Sequence, residues 1–235
     1  MSSPTTYQAG PLRTLQFAPA TRIQESFVAG AEKYILVWLA ERMPAGINPD
    51  HLTILGFISQ CMAGVCYALV RWNPDTLLLG IVCLASNWLG DSLDGTLARV
   101  RNRQRPRYGF YVDHISDTVA AFFLMGGLAL SGYVHPNIAF GMLIAFLMLS
   151  IESYLATYTL GRFQLSYWKF GPTEIRILLA AGNLALLRRP FIQILGRRLL
   201  LFDLGGVIAI AGMGLMLVIS AIGHTRQLYC EEKLS

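Results

Sequence analysis

An all-α integral membrane protein, with six transmembrane helices preceded by an N-terminal interfacial amphipathic helix, is the fold this sequence predicts. Three observations predict it. Of 235 residues 54% are hydrophobic and only 14% charged, with a mean hydropathy of +0.48, whereas soluble domains carry about a quarter charged residues. Six apolar runs stand at 52–70, 77–98, 110–130, 138–160, 175–187 and 207–223, most of them near the roughly 20 residues that a helix needs to cross a bilayer. The basic residues, finally, are distributed asymmetrically between the connecting segments. This composition excludes a disordered chain, a disulfide scaffold and an ordinary cytosolic enzyme, and it leaves little room for a separate soluble module.

The elements follow in order. Residues 1–23 form a polar N-terminal segment, and residues 1–16 contain Pro4 and Pro11 but no apolar core before a small-residue cleavage site, so no signal peptide is expected. A single membrane-embedded domain takes residues 24–225, and residues 226–235 form a tail. Between residues 25 and 42, Phe27, Ala31, Tyr34, Ile35, Trp38 and Leu39 recur at helical spacing with Glu32, Lys33, Glu41 and Arg42 elsewhere, the pattern of a helix lying in the membrane interface. The fifth apolar run is short and could extend into residues 191–201.

With the N-terminus inside, fourteen of the nineteen Lys and Arg fall on the cytoplasmic side, including Arg99, Arg101, Arg103, Arg105 and Arg107 in one turn, Arg162, Lys169 and Arg176 in the next, and Arg226 and Lys233 at the end. Arg71, Arg188, Arg189, Arg197 and Arg198 fall outside. The positive-inside rule thus favours both termini in the cytoplasm, against a local exception at 188–198, which is either reentrant or a breach of the rule. Cys61, Cys66, Cys83 and Cys230 lack C-x-x-C spacing and read as small apolar residues. The arginine turn reads as a membrane anchor, able also to gather an anionic ligand, and not as a nucleic-acid surface, for which no soluble domain is available.

The chemistry concentrates between residues 88 and 118. Asp91 and Asp94 share one helical face, with Gly95 and Ala98 beside them, and Asp113 and Asp117, four apart, share a face of the next helix. A short polar turn joins the helices, so both pairs can meet near one membrane surface. These are four of only seven aspartates in the chain. An ionised Asp at the centre of a membrane helix costs about 2.5–3.5 kcal/mol, and a cation is the natural compensation. Carboxylate oxygens without Cys or a His pair suit a hard ion such as Mg²⁺ or Mn²⁺, and four suffice for two ions, which about 4 Å apart can clamp a phosphoryl group. An ion pathway or a structural polar cluster paired to Arg99 would use the same carboxylates. The lack of side-chain bulk at Gly95, Ala98 and Gly109 leaves a slot for a phosphate-bearing ligand, and Arg99 stands one turn on from Gly95, placed for phosphate oxygens.

Asp91-x-x-Asp94-Gly95-x-x-Ala98-Arg99, nine residues, then Gly109-x-x-x-Asp113-x-x-x-Asp117 resembles the signature of the CDP-alcohol phosphotransferases, with all eight positions present in order. The resemblance implies integral membrane enzymes of phospholipid synthesis that transfer a substituted phosphate from a CDP-linked donor to an alcohol hydroxyl and release CMP. It implies that Asp91, Asp94, Asp113 and Asp117 hold two Mg²⁺ or Mn²⁺ ions, with Asp117 also the catalytic base, and that Gly95, Ala98, Arg99 and Gly109 shape the donor pocket. It implies further a homodimer, and a donor that is either CDP-diacylglycerol, with a soluble alcohol as acceptor, or CDP-choline or CDP-ethanolamine, with diacylglycerol as acceptor. The string Leu93-Asp94-Gly95-Thr96 also looks like a haloacid-dehalogenase-type motif, but Ser92 occupies the nucleophile position and no strand precedes it.

Supporting positions carry two readings each. In Asn48-Pro49-Asp50-His51-Leu52-Thr53, Asn48 caps a helix that Pro49 opens and Asp50 complements its dipole, while the resemblance makes Asp50 and Thr53 donor-pocket residues, Asp50 standing where the family often has Asn. Glu152 lies inside an apolar run, a functional position by default or a protonated structural one. Glu174, in Gly171-Pro172-Thr173-Glu174, starts a helix. A Thr-Glu pair in a comparable place and an Asp-His pair, here Asp113-His114, accompany choline- and ethanolamine-handling members. Glu152, Glu174 and His114 are therefore candidates for the acceptor side or for contacts beyond the metal ligands. His114 points about 100° away from Asp113, which favours a polar contact over ligation.

Overall fold

The computed structural model describes residues 21–23, 29–164, 171–194 and 196–232. Most of the N-terminal segment, Phe27 of the expected interfacial face, and Arg13, Lys169 and Lys233 of the charge count lie outside the described residues. The architecture is helical: α1 (Ala29–Arg42), α2 (Pro49–Leu69), α3 (Thr76–Val100), α4 (Pro106–Ser131), α5 (Pro136–Leu160), α6 (Pro172–Arg188) and α7 (Leu201–Glu231). Two short strand pairs accompany the helices. β1 (Thr21–Ile23) runs parallel to β2 (Arg162–Gln164), and β3 (Phe191–Ile194) pairs antiparallel with β4 (Arg197–Leu200).

Local sequence sets the helix ends. Pro occupies the opening of α2, α4, α5 and α6, where its fixed φ is already helical and its missing N–H is not needed. Gly132 and Gly161, at φ 78° and 66°, close α4 and α5, a left-handed conformation that glycine adopts without steric penalty. Before α3, Asn73 Oδ1 accepts the Asp75 N–H at 3.0 Å and the Thr76 hydroxyl donates to the Asn73 carbonyl at 2.8 Å, a turn that reverses the chain.

Residue pairs fix the helix directions. Gly56 meets the backbone of Gly90 while the Cys66 carbonyl accepts from Thr76, so α2 and α3 are antiparallel. Gly141 and Gly206 meet Ile210 and Ile138, making α5 and α7 parallel. The closest approach is between α2 and α4, where a Cβ on Gly127 would overlap the carbonyl oxygen of Gly64, and one on Gly64 that of Phe123. Small residues allow this backbone contact, the usual means of packing helices in lipid.

Among the described residues four helices, α2, α3, α5 and α7, are long and apolar enough to cross a membrane. The other two expected spans are helical too, but α4 carries Arg107, Asp113 and Asp117 in its first half, and α6 has 17 residues, the lower edge of spanning length. Length and composition by themselves thus single out four of the six expected spans. The extension of the fifth run is corrected: residues 191–194 and 197–200 are the paired strands β3 and β4, with Gly196 at φ 77° before β4. The helix α7 carries on to Glu231, into the segment assigned to the tail.

The interfacial reading of α1 changes in one respect. Tyr34, Ile35 and Trp38 are exposed as a membrane-facing stripe requires, but Leu36 and Ala40 pack with Leu52, Leu93 and Leu97. Glu32, expected on the polar face, is only 7% exposed. The helix is seated on the bundle because α2 and α3 offer it an apolar surface.

Candidate active site

Three helices build a cleft at one end of the bundle. From α2 come Thr53, Phe57 and Gln60, from α3 Asn87, Asp91 and Asp94, and from α4 Asp113, Ser116 and Asp117. Gly56 and Gly90 bring α2 and α3 together beneath it: a Cβ on Gly90 would stand 2.6 Å from the Gly56 nitrogen. The spacing of the aspartates on α3 and α4 then turns both pairs toward the same space.

Oxygens of Asp91, Asp113 and Asp117 lie within 4.8 Å of one another, all three residues partly buried. Two like charges at that separation repel by on the order of 3–4 kcal/mol in a medium of effective dielectric near 20. Such a set is what a hard divalent cation requires, oxygen donors from several elements converging on one point. Asp94 lines the same cleft with a different engagement. Its Oδ2 accepts the Thr53 hydroxyl at 2.6 Å and its Oδ1 the Gly95 N–H at 2.5 Å. The four aspartates thus meet, three as a tight cluster and one oriented by α2.

The remaining motif positions, Gly95, Ala98, Arg99 and Gly109, are not among the residues that line the cleft. Arg99 donates to the Thr96 hydroxyl at 3.0 Å, and its guanidinium lies 3.5 Å from where a Cβ on Gly95 would stand. Ala98 is partly buried, and Gly109 is exposed, with nothing within 4 Å of a Cβ built there.

The other candidates separate. Asp50 pairs with Arg105 on the rim, and Arg105 also lies over the Tyr108 ring at 4.2 Å. That carboxylate pushes the Arg105 guanidinium further above its ordinary pKa. Asp50 is not among the residues lining the cleft. Glu152 is bonded to His224 of α7 at 2.6 Å, so it ties α5 to α7 outside the cleft. Glu174 accepts the Gly171 N–H at 2.9 Å through Oε2 and caps α6, the helix-start role. His114 stacks on Phe110 with centroids 4.1 Å apart and lies 4.9 Å from Tyr154, its Nδ1 3.7 Å from the Asp113 carboxylate.

Several residues of the site were not singled out by sequence. Arg176, counted only as a cytoplasmic charge, donates to Asp91 Oδ2 at 2.6 Å and to Asn87 Oδ1 at 2.7 Å. The available signal was Asn87 four residues before Asp91, on its face of the helix. No local pattern points from α6 to α3, because the partners are 85 and 89 residues apart. Arg101 likewise turns inward from the arginine run and donates to the carbonyls of Met43 and Pro44 at 2.9 Å, fixing the α1–α2 connection.

A family model of the CDP-alcohol phosphatidyltransferases matches residues 47–220. Among curated proteins, archaetidylinositol phosphate synthase of Pyrococcus horikoshii is 31% identical over 121 residues, 52% of this chain and 57% of that protein. Cholinephosphotransferase 1 of Gallus gallus is 26% identical over 148 residues, 60% of this chain and 43% of that protein. The chain spans about half the length of these relatives. With residues 47–220 matched out of 235 and the four signature aspartates lining one cleft, the chain belongs to the CDP-alcohol phosphatidyltransferase family.

Proposed function

We propose that this protein transfers a substituted phosphate from a CDP-linked donor to an alcohol hydroxyl and releases CMP, in phospholipid synthesis. The observation that carries the reading is the convergence of Asp91, Asp113 and Asp117 to within 4.8 Å, with Asp94 beside them, in a cleft between α2, α3 and α4. The carboxylates fit Mg²⁺ or Mn²⁺, two ions in the full site, held by Asp91, Asp94, Asp113 and Asp117. When bound, such ions neutralise the diphosphate and the departing CMP.

The chain's own residues do the rest. Arg176 holds one oxygen of Asp91, and Thr53 one oxygen of Asp94, so both carboxylates meet the ligand already oriented. Arg99, beside Gly95, receives the donor's diphosphate, with Ala98 and Gly109 as further small residues of the donor pocket. Asp117 takes the proton of the acceptor hydroxyl as its oxygen bonds to the transferred phosphorus and the bond from that phosphorus to CMP breaks. Asp50 and Thr53 flank the donor side, and Glu152, Glu174 and His114 stand farther from the reacting centre.

The active site faces the cytoplasm in this reading, with both termini inside and six helices spanning, and the protein acts as a homodimer. Two donor classes belong to this reading, CDP-diacylglycerol with a soluble acceptor or CDP-choline or CDP-ethanolamine with diacylglycerol. Purified protein in lipid nanodiscs, with Mg²⁺ or Mn²⁺, is expected to release CMP from one donor class in the presence of its acceptor alone. EDTA abolishes the release and either metal restores it. Cation flux through reconstituted vesicles, with no CMP from any donor, would replace this reading by cation transport through the same carboxylates.

A further inference from the structure

We propose that Glu32 is a positioning residue of the active site: through this carboxylate α1 locks α6 to α3 and thereby keeps Arg176 on Asp91. The inference rests on the phosphotransfer reading of the cleft, and it adds a residue that lies ahead of the family-matched region of 47–220.

Glu32 sits in the first turn of α1 and is 7% exposed. Its Oε1 accepts three hydrogen bonds, from the Trp88 indole N–H at 2.8 Å, the Ser92 hydroxyl at 3.1 Å and the Thr173 hydroxyl at 3.0 Å. A buried carboxylate is costly unless donors surround it, and hydrogen bonds to a charged acceptor are the stronger kind. This carboxylate draws its donors from two separate helices.

The positions of those donors connect them to the site. Trp88 and Ser92 are four apart on α3 and share a face, and each directly follows one of the two residues, Asn87 and Asp91, that receive Arg176. Thr173 and Arg176 are three apart on α6 and share a face as well. Helices α3 and α6 are therefore joined by two adjacent polar layers, one centred on Arg176 and one on Glu32. Leu36 and Ala40, further along α1, pack with Leu93 and Leu97 of α3, so the carboxylate is presented from a seated helix. Without Glu32 the three donors lose their acceptor, and the start of α6 loses the tie that sets its register against α3. A shift of about 1 Å at a reacting group costs up to about a hundredfold in rate.

The test is a double-mutant cycle on CMP release between Glu32→Ala and Arg176→Ala, with size-exclusion profile and thermal midpoint as folding controls. Glu32→Ala is expected to lower kcat roughly ten- to a hundredfold, with a smaller change in donor KM. Glu32→Gln, which keeps an acceptor oxygen, recovers most of the activity. Combined with Arg176→Ala, the Glu32 substitution costs less than about a twofold further loss, because both act on one contact. Multiplicative effects, or a Glu32→Ala enzyme with wild-type kcat, overturn the proposal. Should Glu32→Ala fail to fold, Thr173→Val removes a single donor and is held to the same criterion of non-additivity with Arg176→Ala. If the wild-type protein releases no CMP from any donor, the phosphotransfer reading fails by itself. Mn²⁺ binding, read by electron paramagnetic resonance, then decides the positioning role. Glu32→Ala weakens it roughly tenfold if the proposal holds, and unchanged affinity refutes it.

Discussion

The helix α3 passes through two chemically opposite environments. At its start, Leu77 and Leu84 are buried in an apolar cluster with Tyr67, Val70, Leu128, Val134 and Leu186. The polar groups there are neutral and matched: the Tyr67 hydroxyl donates to Asn183 Oδ1 at 2.8 Å, and Asn183 Nδ2 to the Leu77 carbonyl at 3.4 Å. At its other end the same helix presents Asp91 and Asp94 to the carboxylates of α4, three of the four oxygen sets crowded within 4.8 Å. A fold selected for stability alone has no use for that crowding. The difference separates polar groups that hold the bundle together from charged groups that hold a ligand, and each prediction below reads out in both stability and activity.

The largest effect is expected from Asp117→Asn. It removes a metal ligand and the proton acceptor together and should lower CMP release by on the order of a thousandfold or more, with the thermal midpoint in metal-free detergent unchanged or raised, since one of three mutually repelling charges is gone. A variant that unfolds instead would mean that the cluster is structural, and the contrast between the ends would collapse.

Next comes Gly127→Ala, which acts on the pivot between α2 and α4. A Cβ there overlaps the Gly64 carbonyl oxygen, and backbone cannot rotate away as a side chain can. A loss of about 1–3 kcal/mol of stability should appear as a lowered midpoint. Activity should fall with it, because α2 and α4 form two walls of the cleft. Thr53→Val is milder. It deletes the 2.6 Å hydrogen bond to Asp94, a bond to a charged acceptor worth about 1.5–3 kcal/mol, and should lower kcat roughly tenfold at nearly unchanged midpoint.

These outcomes bear on how much was legible beforehand. The helices from α2 to α7 follow from apolar run length and from Pro and Gly punctuation, signals that lie within a few residues of the ends they set. The four aspartates were legible for the same reason, since i,i+3 and i,i+4 spacing determines a shared face. What the sequence did not disclose are contacts between helices far apart in the chain. Arg176 on Asp91 and Glu32 on Thr173 depend on α6 and α1 packing beside α3, which no local period encodes. Glu32 misled for a further reason: on an amphipathic helix a charged residue is expected to face water, and only the donors supplied by Trp88, Ser92 and Thr173 allow it to face inward. The β3–β4 hairpin was hidden because Phe191, Ile192, Leu199 and Leu200 are as apolar as a membrane segment, and only Gly196 at φ 77° marks the reversal.

The smallest effect on activity is expected at the far end, where Tyr67→Phe sharpens the comparison most. The substitution keeps the ring in the apolar cluster and removes only the hydroxyl, leaving Asn183 Oδ1 without that donor at a position that is 0% exposed. An unsatisfied buried acceptor costs about 1–3 kcal/mol, so the thermal midpoint should fall measurably. Tyr67 and Asn183 join α2 to α6, and α6 also carries Arg176 to the cleft. If the two ends are independent, kcat for CMP release stays within about twofold of wild type at temperatures below the transition. If kcat drops as far as it does in Thr53→Val, then α6 transmits strain along its length. Arg176 and Glu32 would then have to be understood as one end of a rigid lever, and the separation between a structural and a chemical end would hold for the side chains but not for the helix that joins them.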